Sequence, residues 1–166
     1  MKLIVAVDKN WGIGQNGDQP YHIPEDQAFF RKKTADNVVV MGRVTLAALP
    51  GGRPLKNRIN IVLSRGDIEV PGAQTCSSVS ELAGVIEKHA DKDVFVIGGQ
   101  QIYEILLDYC EYAYVTKIKS SPAVDRYFPN LDTIDNWELV AVSETKTHNG
   151  LEFCFCEYRN LSQVRL

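Results

Sequence analysis

Four short runs of β-branched and apolar residues constrain this chain more than any other feature. Leu3–Val7, Val38–Met41, Ile59–Leu63 and Val94–Ile97 are nearly all apolar, and turn residues bound each of them. A strand with one face in water alternates polar and apolar side chains. Unbroken apolar runs therefore predict strands buried on both faces of a parallel sheet. Helical stretches fall between them: Pro24 to about Lys33, Arg43–Leu49, Ser80 to about His89 with Ser80 as N-cap, and Gln100–Leu107. Pro24 suits a helix start because no N–H is needed there, and Glu25 and Asp26 occupy the first turn. Strands alternating with helices predict an α/β fold with a mostly parallel sheet. Tyr112–Ile118, Trp137–Ser143 and Phe153–Tyr158 are further strands. Asn149-Gly150 is a hairpin signal, so the C-terminal end is expected to be antiparallel.

At 166 residues the chain fits one domain, and a domain of this size buries roughly 70% of the surface its unfolded form exposes. No disulfide or metal is needed to hold such a core. The net charge of −3 gives no field to gather nucleic acid or an anionic membrane. The apolar N-terminal run stops at Asp8, too soon for a signal peptide or a membrane span, so a cytoplasmic protein is expected. Cys76, Cys110, Cys154 and Cys156 lack the paired spacing of a zinc site. They read as core residues, with Cys154 and Cys156 on one face of a strand.

Two segments share one plan. Val38–Met41 runs into Gly42-Arg43 at a helix start, and Val94–Ile97 runs into Gly98-Gly99-Gln100 at another. Glycine lets a ligand approach the backbone, and a helix start presents unpaired N–H groups. Such junctions hold phosphates or are simply turns, and neither matches a nucleotide-binding fingerprint. A third strand ends in Leu63-Ser64-Arg65. A hydroxyl beside a guanidinium suits a phosphate monoester, with Arg43 facing it, and also suits an ordinary solvated surface. Asp26 lies four residues before Phe30 and so shares a helix face with it. It is either a partly desolvated carboxylate for an N–H-bearing heterocycle or a plain complement to the helix dipole. Asn10–Pro20 is long and glycine-rich for a strand–helix link, which suits a lid.

In order, these pieces resemble the dihydrofolate reductase family along nearly the whole chain. The resemblance is carried by Ile4-Val5-Ala6-Val7-Asp8 with Gly12-Ile13-Gly14 and Asn16-Gly17-Asp18, Ile23-Pro24-Glu25-Asp26 with Phe29-Phe30, and Val40-Met41-Gly42-Arg43 with Thr45. Arg53-Pro54-Leu55, Arg58 through Arg65, Val96-Ile97-Gly98-Gly99 with Ile102-Tyr103, Thr116-Lys117-Ile118 and Asp125–Pro129 continue it. It implies a single domain over residues 1–160 with a tail at 161–166 that is open to disorder. The domain would carry about eight strands, antiparallel at the C-terminal end, and about four helices.

The resemblance also implies a monomeric NADPH-dependent oxidoreductase of one-carbon metabolism, an antifolate target that reduces 7,8-dihydrofolate to tetrahydrofolate. By the same analogy Asp26, Tyr21 and Thr116 are the catalytic residues. Ile4, Ala6, Gln27, Phe30, Leu49, Leu55 and Ile97 line the substrate pocket, and Arg58 pairs with the glutamate carboxylate. Ala6, Ile13, Gln19, Gly42, Arg43, Thr45, Leu63, Ser64 and Arg65 contact NADPH. So do Ile97, Gly98, Gly99, Gln100, Gln101, Ile102 and Tyr103. Asp125 steadies the lid. Gln19, Tyr21, Gln27, Ala48 and Gln100 depart from the residues usual in the family. A reductase of the riboflavin pathway and a weakly catalytic folate-binding protein are the alternatives. Arg58 discriminates against the first, because a ribose phosphate would not need it.

Overall fold

The computed structural model describes residues 1–15, 19–66 and 68–166. Strands β1 (Lys2–Val7), β3 (Val38–Met41), β4 (Ile59–Leu63), β6 (Val94–Gly98) and β7 (Tyr112–Ile118) form where the apolar runs lie. Helices α1 (Pro24–Thr34), α2 (Arg43–Ala48), α3 (Val79–Glu87) and α4 (Gln100–Leu106) alternate with them. β9 (Trp137–Val142) and β11 (Leu151–Asn160) close the chain, and four short strands complete the set: β2 (Gly12–Gly14), β5 (Gln74–Cys76), β8 (Arg126–Tyr127) and β10 (Lys146–His148).

The main sheet runs β10-β11-β7-β1-β6-β3-β4-β5, with β9 also paired to β11. Among the described residues it has nine strands, in line with the expected number, and short β5 and β10 form its two ends. β7 through β5 are parallel, and β11 turns the sheet antiparallel against β7, β9 and β10. Asn149 and Gly150 both take positive φ, 48° and 76°, which makes the tight turn between β10 and β11.

Alternation along each strand splits the core in two. Leu3, Val5, Val7, Val38, Val40, Ile61, Val94 and Val96 pack with Leu82 of α3 and with Ile102, Tyr103 and Leu106 of α4. Ile4, Val39, Met41, Val62, Phe95 and Ile97 face the other way, against Leu46 of α2 and Phe29 and Phe30 of α1. The sheet is therefore covered on both faces. The C-terminal ends of β1, β3 and β6 converge at one rim between the layers.

The N-cap of α3 is Ser78, not Ser80: Ser78 Oγ accepts the Glu81 N–H. Ser78 and Glu81 have capping-box spacing, although the Glu81 carboxylate reaches the Ser77 N–H and hydroxyl. The tail is tied to the body. Leu161 N–H donates to Asn136 O, Gln163 Nε2 to Tyr109 O, and Val164 N–H to Asp108 O. No helix among the described residues is long and apolar enough to cross a membrane.

Candidate active site

The two acids at the start of α1 part company. Glu25 is exposed and lies 3.5 Å from Lys146 Nζ. Asp26 turns toward the sheet, where the buried Thr116 hydroxyl of β7 donates to its Oδ1 at 2.5 Å. Burial raises the Asp26 pKa above the ordinary aspartate value, and the Thr116 bond pulls the other way without cancelling it. α1 is set over this spot by Phe29, which stacks on Phe155 at 4.5 Å and meets Tyr114 edge-on. In strand register Thr116 lies between Ala6 and Phe155.

The expected substrate wall is brought together. Ile4, Phe30, Leu49, Leu55 and Ile97 belong to one apolar cluster, with Phe30, Leu49 and Leu55 only partly buried. Ala6 and Tyr21 pack beside them against Ile23, Ile118 and Phe153. The Tyr21 hydroxyl is buried, with the Ser120 side chain as its neighbour. Burial raises its pKa, and Ser120 opposes that. Gln27 is exposed on the outer side of α1. Thus Asp26 and Thr116 place one carboxylate, kept partly from water, at the end of an apolar slot.

The glycine turns meet at the converging rim. Gly42 N–H donates to Gly98 O at 2.8 Å, and no side chain caps the start of α2 or α4. Gly98 has φ +123°, and a Cβ on it would lie 3.3 Å from Thr45 Oγ1 and 3.4 Å from the Tyr103 ring and hydroxyl. The Gly98–Gly99 peptide is cis. A Cβ on Gly42 would lie 3.0 Å from Ile102 Cγ1. Only glycine keeps this paired surface open, and the uncapped N–H groups fit an elongated diphosphate.

Tyr103 is buried, and its hydroxyl donates to Ile4 O at 2.8 Å, so it ties α4 to β1 and shapes the rim from behind. Ile102, Leu63 and Ile97 are likewise buried. Met41 and Val62 are level in register, which brings Arg43 and Ser64 to the same rim, with Arg65 exposed beside them. Gln101 and Gln19 are exposed and Ile13 is half-buried.

Arg58 is braced by two hydrogen bonds. Its Nε donates to Thr34 Oγ1 at 3.2 Å and its Nη1 to Lys56 O at 2.7 Å. Burial and then the nearby Arg31 guanidinium lower its pKa. Arg31 is a second cation that sequence reasoning missed, since only tertiary packing sets a residue of α1 next to one before β4.

The start of the segment expected to form a lid is anchored by Asp8. Asp8 Oδ1 accepts the N–H groups of Asn10 and Gly12, at 2.7 and 2.8 Å. A Cβ on Gly12 would come within 2.5 Å of Asp8 Oδ2 and Val124, so the chain passes here only as glycine. β2 pairs with β8, and Asp125 N–H donates to Gly14 O at 2.9 Å. The expected landmarks Asn16, Gly17 and Asp18 lie outside the described residues.

A partly shielded carboxylate beside apolar walls, with a rim of glycine turns at two uncapped helix starts, suits a nucleotide-dependent oxidoreductase. Within that class, the chain belongs to the dihydrofolate reductase family. Residues 1–160 match the model of the family described as dihydrofolate reductase. A dihydrofolate reductase from Bacillus subtilis (strain 168) is 37% identical, over 99% of this chain and 98% of that protein. One from Schistosoma mansoni is 35% identical, over 95% of each. A solved dihydrofolate reductase from Enterococcus faecalis, complexed with NADP(H) and RAB-propyl, superposes with a TM-score of 0.82 at 33% identity. It covers 96% of this chain and 95% of that one.

Proposed function

We infer that the protein reduces 7,8-dihydrofolate to 5,6,7,8-tetrahydrofolate with NADPH. The observation that carries this reading is the Asp26–Thr116 pair at the end of the apolar slot. NADPH, when bound, supplies the hydride that is added to C6 of the pterin. Gly42, Arg43, Thr45, Gly98 and Gly99 would hold its diphosphate side, and Ser64 and Arg65 its phosphate monoester. Ala6, Ile13 and Ile97 would flank the nicotinamide.

Asp26 accepts the pterin N3–H and 2-amino N–H, which fixes the ring's orientation. Oδ1 already receives the Thr116 hydroxyl, and a carboxylate has lone pairs for several donors. The negative charge of Asp26 in a dry slot favours a proton on N5, so the ring becomes a better hydride acceptor. Ile4, Phe30, Leu49 and Leu55 exclude water from the ring and the benzoyl group. Arg58, with Arg31 behind it, receives the glutamate carboxylate. Family membership is what supports reading the protein as a monomeric cytoplasmic enzyme acting on small molecules.

The test is loss of NADPH absorbance with dihydrofolate in the wild type and in Asp26→Asn. Turnover is expected with NADPH, weaker with NADH. The Asn variant is expected to lose about 10²–10⁴-fold at neutral pH, the usual worth of acid–base assistance. Binding of NADPH and methotrexate without turnover would overturn the catalytic reading.

A further inference from the structure

Gln100 stands one residue past the Gly98-Gly99 turn, where a coenzyme contact is the obvious expectation. Its side chain is committed elsewhere. Oε1 accepts the Tyr127 backbone N–H at 2.9 Å, and Nε2 donates to Glu104 Oε1 at 2.8 Å. The partners fix the amide's orientation, since a backbone N–H can only donate and a carboxylate only accepts.

Tyr127 belongs to β8, whose sole strand partner among the described residues is β2. Tyr127 is level with Gly12 and Arg126 with Gly14. Two-stranded ribbons are marginal by themselves, so one more bond to a firm element matters here. That element is α4, which packs through buried Ile102, Tyr103 and Leu106. A continuous path therefore runs from the Gly98-Gly99 turn through Gln100 to Tyr127, and on to Gly12 in β2.

We propose that Gln100 is a positioning residue that couples the coenzyme-binding turn to the β2–β8 ribbon. The inference rests on the reading of that turn as the NADPH site. Gln100 follows Gly99 directly along the backbone, so an NADPH that settles the turn also settles Oε1. Oε1 in turn holds the Tyr127 N–H and the ribbon attached to it. The residue thus serves as a strut on the far side of the coenzyme cradle rather than as a ligand within it.

The experiment is amide hydrogen exchange of the wild type, Gln100→Ala and the double variant Gln100→Glu with Glu104→Gln, each with and without saturating NADPH. Binding is read separately from NADPH fluorescence. In the wild type NADPH is expected to slow exchange both in the first turn of α4 and in residues 12–14 and 125–128. In Gln100→Ala the α4 protection remains and the ribbon protection disappears. Gln100→Glu combined with Glu104→Gln keeps an acceptor for Tyr127 and reverses the donor and acceptor between positions 100 and 104, so it restores the ribbon protection.

Gln100→Ala also weakens NADPH binding about fivefold, the worth of one neutral hydrogen bond. Ribbon protection that survives unchanged in Gln100→Ala overturns the strut while leaving the coenzyme reading intact. A wild type that binds no NADPH overturns both.

Discussion

Asp26 and Thr116 are 90 residues apart in the chain, and their side chains are joined by a 2.5 Å hydrogen bond. The bond and the burial act on the carboxyl in opposite senses, and burial is the larger effect. Helix and strand thereby set the proton affinity of a single group from two sides.

Thr116→Val removes the donor and keeps the shape. The Asp26 pKa rises further, because the ionised form loses its one bonded hydroxyl. The limb of the rate–pH profile for dihydrofolate that reports ionisation of Asp26 should move to higher pH. Catalytic efficiency should fall about 10–100-fold, in line with a lost hydrogen bond to a charged acceptor. Steady-state kinetics across pH check both.

Asp26 also makes a statement about stability. Its folded pKa is raised, so the folded protein binds the proton more tightly than the unfolded chain. Stability from this group is complete below the ordinary aspartate value and is lost as pH rises through the folded value. Asp26→Asn removes that loss. The ligand-free variant should melt above the wild type at neutral pH, and the gap should close in acid. Scanning calorimetry over about pH 4 to 8, well across the ordinary carboxylate range, measures it.

Arg58 is braced by Thr34 and Lys56. Arg58→Lys keeps a charge but loses the planar fork, so KM for dihydrofolate should rise about 10–100-fold, as expected for a charge-assisted pair, with kcat little changed. A pterin without the glutamate tail should be indifferent to the change. Parallel kinetics on the two substrates check this.

Gly98→Ala places a methyl group at φ +123°, 3.3 Å from Thr45 Oγ1. The backbone cost is about 1–3 kcal/mol, and the same methyl intrudes on the rim that would receive the coenzyme. Both the melting temperature and NADPH affinity should fall, by calorimetry and by fluorescence titration. Gly150→Ala, also at positive φ but with open space around it, should cost stability without touching affinity.

The long strands were legible because burial on both faces leaves an unbroken β-branched run, as in Val38–Met41 and Val94–Gly98. The strands that escaped notice are short and polar or glycine-rich, such as Arg126–Tyr127 and Gln74–Cys76. They exist through their partners, and nothing in their own side chains marks them. The cap at Ser78 was readable, since the S-x-x-E spacing to Glu81 is in the sequence. Asp26 could not be told from Glu25 by residue type, because only the docking of α1 decides which acid meets Thr116. Gln100 was assigned toward the coenzyme by its neighbours in sequence, whereas its hydrogen bonds go to residues brought near by the fold.

The sheet order also has a consequence on the ribosome. β1 pairs with β6 and β7 and with neither β3 nor β4. Its register partners begin at Phe95 and Tyr112, so this apolar strand has no neighbour in the sheet until about ninety further residues have been made. At ordinary synthesis speeds that is a wait of roughly 5–20 s. For that interval Leu3, Ile4 and Val5 are a nascent segment suited to chaperone capture, and slowed translation before residue 94 would lengthen their exposure.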